Sequence, residues 1–573
     1  MIRKRIIALL AAALMAASML AGCSTGGGAS SDASGAESTS SASEAESSKA
    51  DEEEADDADS SGTDSDGAAG DDELVRDNIH KSGFPILEEQ KTYTIAVVKD
   101  PNSQNGFADK QCVQETNELT NVNIEWLDIP AASWDEQVNI MIAAENLPDA
   151  FCGGEVQIMQ NIEMFQPIDE IIYDMAPAIV EMLDTDISIK QAITTPDGHI
   201  YSLPTNKANP SSLVNNMIWM NPDWLEQAGM EPPTTTDEFA DVLRYFRDND
   251  MNGNGDPDDE VPFQVRQQED FGANLSAITG AFDVVLPQEY VYSKDGKTVV
   301  FGGTEPGLFD AVNWLHMLYD EKLLANDAFT IDNSQITAKA QADDVLMGSL
   351  AYWIPDAMDI RYEDYIVLDP LEGPEGAKIW YGDRMPLGAN IQGFSITTEC
   401  EDPEALVRYY DTCMRDMTTI MEWQWGPIDA GNWKPLGEDS WTQTTEFVPE
   451  GANLNHFKRT VCGSMYSPNF LWSKYADMEV ADARNAKKRE AAQRIYPFCV
   501  EMMPKAMYDP EIVTEREMLF VDIDNYMKKF FADAVVNGID EADWEKHLDN
   551  CKSMGTDKYT ELWQQLYDGV KAN

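Results

Sequence analysis

Hydrophobic and polar positions are most regularly ordered just after the first ninety residues. Residues 93–99 (Y-T-I-A-V-V-K) form a short β-branched run that predicts a strand. Residues 107–119 predict a helix and 123–127 a second strand. In 134–145, Trp134, Val138 and Met141 recur on one face at helical spacing. Residues 147–151 predict a short strand that ends at Cys152-Gly153-Gly154. Strand, helix, strand, helix, strand in one direction predicts a parallel α/β sheet, in which ligands collect at the carboxyl ends of strands. Gly153, Gly154 and Glu155 stand at such an end. The glycines suit a bound ligand and a plain strand-to-helix turn equally well.

Further along, 168–183 reads as an amphipathic helix interrupted by Pro177, and 195–198 (T-P-D-G) as a turn before a strand at 199–204. A strand at 218–220 precedes a helix at 222–228 that Gly229 ends. Thr236-Asp237-Glu238 caps a helix at 239–247, and 261–265 is a strand. From about 305 the period turns helical, at 308–319 and 336–346. Strands follow at 350–354, 365–368 and 393–398, then an amphipathic helix at 403–416. Beyond about 471 the pattern is helical with many aromatics. No repeat of fixed period occurs.

Composition changes the picture at the amino end. Arg3, Lys4 and Arg5 precede an apolar run, 6–20, that is too short to favour a stable membrane span. It closes on Leu20-Ala21-Gly22-Cys23, which resembles a lipobox. That resemblance implies a signal peptide, 1–22, cleaved before Cys23, and diacylation of the Cys23 thiol. Acyl chains would then be the only membrane contact, on the outward face of the cell membrane. From Ser24 to about Asp77 the chain is Ser, Ala, Gly, Asp and Glu with almost no large apolar residue, so it cannot offset its chain entropy by burial. Residues 23–80 are expected to be a lipidated, disordered tether and 81–573 a folded body.

Of the eight cysteines, those at 112, 152, 400, 413, 462, 499 and 551 remain, without paired spacing. An odd remainder argues against a full disulfide framework, leaving one or two bridges or free thiols. The net charge of −63 repels nucleic acid and anionic surfaces, although a local basic pocket could override it for a small ligand.

The densest candidate chemistry lies in 250–262, D-M-N-G-N-G-D-P-D-D-E-V-P. Asp250, Asn252, Asn254 and Asp256 alternate with small or turn-forming residues, and Asp258, Asp259 and Glu260 follow. A hard cation such as calcium takes six or more oxygens, which a tight loop supplies from alternate positions. The start resembles an EF-hand loop, but its twelfth position is Val261 rather than a bidentate Glu. A calcium site closed by Asp258, Asp259 or Glu260 is expected; a solvated acidic turn is the other reading.

These stretches together resemble the extracellular solute-binding proteins, family 1, of bacterial ABC importers, and among them the large lipoproteins for oligosaccharide uptake, including the alginate-oligosaccharide binders. The resemblance rests on N-L-P-D-A-F (146–151), T-P-D-G-H-I-Y-S-L-P (195–204), N-P-D-W-L-E-Q-A-G-M (221–230) and P-T-T-T-D-E-F (233–239) leading into the acidic loop. P-L-E-G-P-E-G (370–376) and W-G-P-I-D-A-G-N-W (425–433) complete it. It implies an α/β fold of two lobes in the type II, Venus-flytrap arrangement, with lobe 1 at about 90–207 and 365–425 and lobe 2 at about 208–364 and 426–573. It implies a structural calcium away from the cleft, held by Asp250, Asn252, Asn254 and the Asp256 carbonyl. An extra residue before Asp259-Glu260 leaves open which of Asp258, Asp259 and Glu260 bind. It further implies a monomeric receptor that passes an oligosaccharide to permease subunits.

Sugars are held by aromatic rings against their C–H faces and by amides and carboxylates at their hydroxyls. Of 14 Trp, Trp224 and Trp314 sit at helical spacing among apolar residues and are expected in the core. Trp353 and Trp425, at element ends, are expected in the cleft, with Glu155 and Asp383 as hydroxyl partners. A glycoside hydrolase would need two carboxylates flanking the scissile bond, and among 103 acidic residues no pair is singled out. The five histidines lack zinc spacing, and no nucleophile elbow or phosphate loop occurs. The chain is therefore read as a receptor rather than an enzyme, with a surface hydrolase or a glycan-binding adhesin as alternatives.

Overall fold

The computed structural model describes residues 74–572 except 77, 208–213, 215–216, 257, 267–274, 276–277, 353–363, 383–388, 451 and 481–482. Backbone packing separates Met1–Gly67 from a compact unit, Ala68–Asn573. The signal peptide, Cys23 and nearly all of the expected tether lie outside the described residues, as do Trp353 and Asp383. The described body begins earlier than expected, with a strand at Leu74–Arg76 paired to Ile79–His80.

Two large apolar cores organise the body. One gathers Ile95, Phe151, Ile193, Leu203, Phe394, Tyr410 and Trp433; the other gathers Trp219, Phe246, Phe263, Leu315, Leu350 and Phe531. The first core surrounds a sheet of six described strands, in the order Phe470–Leu471, Ser202–Lys207, Ala389–Ile396, Ala150–Cys152, Lys91–Lys99 and Val122–Pro130. Its central residues Ile95, Ala96 and Val97 are fully buried, which is why a continuous β-branched run rather than an alternating one sits here. The expected parallel pairing of the 91–99 strand with both neighbours is present. The sheet is nonetheless mixed, because Ala389–Ile396 inserts antiparallel between Ala150–Cys152 and Ser202–Lys207. That strand returns from far along the chain, so the local strand–helix order could not reveal it.

The second core surrounds a sheet in the order Ile366–Val367, Met217–Met220, Met347–Tyr352 and Val261–Gln264. A third sheet inserts Cys499–Met502 between Val291–Ser293 and Trp380–Tyr381, within a region whose pattern reads as helical. Helices Pro510–Asn537, Glu541–Met554 and Thr556–Ala572 close this half. The segment 336–346, expected as one helix, is a helix only over Asn333–Ala340, and the strand Met347–Tyr352 follows. Trp224 is buried in the second core and Trp314 packs against it, as their spacing implies. The first core also takes Trp441, Phe470 and Trp472, which the sequence reading places in lobe 2, and the second takes Tyr365 and Trp380, which it places in lobe 1.

Local signals act near the expected places. Gly229 ends the Pro222–Ala228 helix in the left-handed region, at φ 64°. The expected cap is displaced by one residue: Thr235, with Glu238, forms the capping box, and the expected cap residues Thr236-Asp237-Glu238 are the first turn of the helix Thr236–Asp248. Pro177 begins a helix rather than interrupting one: Asp169–Met175 ends before it, and Pro177–Thr185 carries it in the first turn, where its missing N–H costs nothing. All seven cysteines in the body are free.

The Pro177–Thr185 helix takes its N-terminal acceptor from another element. Asp411 Oδ1 accepts from the backbone N–H groups of Ala178 (2.8 Å) and Ile179 (3.0 Å). Burial outweighs these bonds and the nearby Arg408, and pushes the Asp411 carboxyl up to about 6. A raised folded-state value means that this group's contribution is fully present below the ordinary carboxylate range and is lost as pH rises through about 6. Asp411→Asn keeps the acceptor without the charge. The variant is expected to gain stability relative to wild type as pH rises from 4 to 7, read by urea unfolding at both values; a constant difference would contradict this.

Candidate functional site

The strands of the first sheet converge their carboxyl ends on one edge. Lys91–Lys99 and Ala150–Cys152 are parallel, and Ser202–Lys207, antiparallel to the same 389–396 strand as Ala150–Cys152, points with them. Asp100, Gly153–Glu155 and Lys207 therefore share this edge. In sequence, 208–216 lead from this edge to the second sheet, and 382–388 lead from the third sheet's Trp380–Tyr381 strand back to Ala389. In the second sheet Val261–Gln264 and Met347–Tyr352 run parallel and against Met217–Met220, so their carboxyl ends lie at the edge where the 208–216 crossing arrives. Trp353 follows Tyr352 and Asp383 precedes Ala389 in sequence; both lie outside the described residues.

The two glycines at this edge answer to side chains. Gly153 has φ +85°, and a Cβ there would stand 2.7 Å from the Tyr466 Cβ; one on Gly154 would stand 2.2 Å from the Trp134 indole. The Trp134 indole N–H donates to the Glu155 carbonyl (2.8 Å), fixing the turn, while the Glu155 side chain is exposed.

Trp425 ends the helix Met417–Trp425 and keeps only 5% of its surface exposed. Its ring lies 5.9 Å from that of Trp441. The Lys458 ammonium stands 3.3 Å from the Trp425 ring centroid and that of Lys207 4.7 Å. The ring is thus covered by a buried basic cluster rather than standing as an open platform. Burial holds the Lys458 ammonium well below the ordinary lysine value, with repulsion from Lys207 and Arg459 adding to it. Burial lowers Lys207 as well. Arg459 is neutralised by Asp100, its Nε 3.2 Å from Oδ2.

The acidic loop folds as a chain of Asx turns between the Thr236–Asp248 helix and the Val261–Gln264 strand. Asp250 accepts from the N–H groups of Gly253 (2.8 Å) and Gly255 (2.9 Å), Asn252 from Asn254 (3.0 Å), Asn254 from Asp256 (2.8 Å) and Asp256 from Asp258 (3.2 Å). The Asn252 and Asn254 amides donate to the two Asp259 oxygens, at 3.0 and 2.7 Å. Glu260 Oε1 accepts from Met251 N–H at 2.7 Å, while its Oε2 is buried without a partner and burial raises the carboxyl. Among the described residues no three His, Cys, Asp or Glu side chains converge as metal ligands. The loop's donor set is mixed, and it fits a hard cation: the oxygens that accept one N–H keep a lone pair, and the buried Glu260 Oε2 has no hydrogen-bond partner.

Residues 101–412 match the family model described as "Bacterial extracellular solute-binding protein". The chain belongs to that family. This solute-binding protein is 26% identical over 522 residues, 86% of it and 92% of the relative, to the fructooligosaccharide ABC transporter substrate-binding protein FusA of Streptococcus pneumoniae serotype 4. Its fold matches that of the FusA EF-hand mutant solved with fructo-nystose (TM-score 0.72, 22% identity, 84% of this chain and 100% of that one). It also matches an HMO-binding ABC-transporter-associated solute-binding protein of Bifidobacterium longum infantis (TM-score 0.74, 19% identity, 84% and 99%). The two-lobed α/β architecture expected for the solute-binding protein is thereby shown.

Of the four residues chosen from sequence as ligand contacts, Glu155 and Trp425 are described, and they sit on different features: the turn after the 150–152 strand, and the buried basic cluster. Lys207 and Lys458 were not singled out. They lie some 250 residues apart, and no spacing rule links a strand end to a distant helix.

Proposed function

We propose that this solute-binding protein is the lipid-anchored oligosaccharide receptor of an ABC importer, facing outward from the cell membrane. The observation that carries the reading is that 208–216 join, in sequence, the carboxyl edge of the first sheet to the carboxyl edge of the second, with Lys207 as the last strand residue before them. The fructooligosaccharide of FusA and the HMO of the Bifidobacterium protein support the substrate class. Trp353, Trp425, Glu155 and Asp383 are the proposed ligand residues, and closure of the lobes supplies affinity by adding contacts from both sides. From the cores, lobe 1 takes about 79–203 and 389–476, and lobe 2 about 214–380 and 491–567. The protein acts as a monomer, binds without turnover, meets permease subunits, and touches the membrane only through its acylated Cys23. The FusA EF-hand mutant supports a calcium site in the acidic loop. Asp250, Asn252, Asn254, Asp256 and the 258–260 acidic residues would hold the ion, whose charge offsets their mutual repulsion and pins a helix to a strand.

A melting-temperature screen of the full chain against a glycan panel tests this reading, since a ligand that binds only the folded state raises the midpoint. At least one oligosaccharide is expected to do so; a flat panel would overturn the substrate class. Anchoring has its own test. Cys23→Ser is expected to leave the protein unprocessed or released from membranes, read by fractionation and metabolic acyl labelling. A Ser variant matured and retained like wild type would contradict it.

A further inference from the structure

The pocket over Trp425 is at odds with its surroundings. A chain of net charge −63 has placed two ammonium groups over one indole ring, at 3.3 and 4.7 Å from its centroid. Lys458 keeps only 9% of its surface exposed. Among the described residues neither ammonium has a carboxylate at ion-pair distance: Asp100 pairs with Arg459, and Glu479 lies 3.5 Å from Arg489 Nη2 and accepts from Gln443. Buried charges are ordinarily paired, and one left without a partner is costly to the fold. An arrangement that weakens the free protein and persists at a ligand-collecting sheet edge is explained by a partner that arrives with the ligand. Lys207 is the last residue of the Ser202–Lys207 strand, where the chain leaves for the second lobe, so an anion bound here would sit at the start of a lobe crossing.

We propose that Lys207 and Lys458, over the buried Trp425 ring, form a subsite for the carboxylate of an acidic sugar residue. The protein's ligand is then an anionic, uronate-bearing oligosaccharide rather than a neutral one; this rests on the oligosaccharide reading above. The strong negative field of the body opposes such a ligand at long range and is screened within about 10 Å at ordinary salt, so the pocket decides the local balance. Arg459 adds positive potential while staying tied to Asp100. The buried indole holds the two ammonium groups beside each other rather than meeting the ligand itself.

Protonation gives the subsite a distinctive signature. Facing the Lys458 ammonium are Lys207 and Arg459, which repel it, and the Cys462 thiol and Glu479, which would favour its charge; Glu479 and Arg459 act likewise on Lys207. Burial dominates and leaves both below the lysine norm. A carboxylate arriving between them favours the charged form of each, so binding takes up protons from solvent as pH is raised.

The test titrates the full chain calorimetrically with oligogalacturonate, a neutral fructo-oligosaccharide of matched length and inorganic sulfate, in buffers of different ionisation enthalpy. Oligogalacturonate is expected to bind with proton uptake that grows towards alkaline pH. Lys207→Met and Lys458→Met should each weaken it by about 30-fold or more. The same variants, which replace an unpaired charge by an apolar chain of similar length, should leave the ligand-free melting temperature unchanged or raised. Sulfate binding as tightly as the acidic glycan would overturn the assignment to a sugar. Binding of neutral glycans alone, or of the acidic glycan unchanged in both variants, would overturn the subsite and leave the oligosaccharide reading standing. A lowered melting temperature with intact acidic-glycan affinity would show the lysines to be structural. No binding of either glycan would remove both readings.

Discussion

Trp425→Ala is expected to cost about 3–5 kcal/mol of folding stability, the range for deleting a large buried aromatic. The ring is nearly fully buried in the first core and packs near Trp441. Its loss would also leave the buried Lys458 ammonium without the aromatic face set against it. Trp425→Phe should recover most of the loss, because it keeps a ring under the ammonium. Urea unfolding midpoints at constant slope decide the matter. A stable Ala variant that merely lost glycan affinity would show the ring to be an open stacking platform, contrary to its burial.

Removal of calcium should produce the next largest effect. Asp250, Asp259 and Glu260 are gathered within one loop, and Glu260 already carries a buried, unpaired oxygen and a raised carboxyl. Without a cation these groups repel one another; with one, stability rises with the ratio of free calcium to the dissociation constant, by about 2.7 kcal/mol at a hundredfold excess. Chelation is therefore expected to lower the melting temperature by several degrees, and Asp250→Ala to mimic it and abolish most of the calcium response. Glycan affinity of the chelated protein, measured where it remains folded, should change little, because the loop joins a helix and a strand on the far side of the second sheet's Val261–Gln264 strand from the carboxyl edge. Loss of glycan binding at unchanged stability would place the ion in the ligand site instead.

Much of this architecture is legible in the sequence because local rules dominate locally. The Gly229 stop, a capped helix near 236 and the buried 91–99 strand follow from propensity, capping and periodicity; the stop stands where expected, while the strand begins two residues early and the helix three. What depends on chain return is not legible. The antiparallel 389–396 strand, the 499–502 strand inside a third sheet, and the assignment of Trp433 and Trp441 to the first core all need contacts between distant segments. Trp425 shows the same limit within one residue. Its place at a helix end suggested access to a cleft, whereas Lys458 and Lys207 close over it, and nothing near position 425 announces either lysine. The acidic loop stands out in the sequence as one stretch because its hydrogen bonds span no more than a few positions, although the sequence does not show which oxygen accepts from which N–H.

The central claim is that the protein captures an oligosaccharide and leaves it intact. Isothermal titration of the full chain with each member of a glycan panel, followed by chromatography of the glycan recovered from the cell, tests both halves together. The account predicts saturable binding of at least one oligosaccharide at one site per chain, with the ligand recovered at its original length. Heats indistinguishable from dilution across the panel, or a bound glycan recovered as shorter fragments, would contradict it.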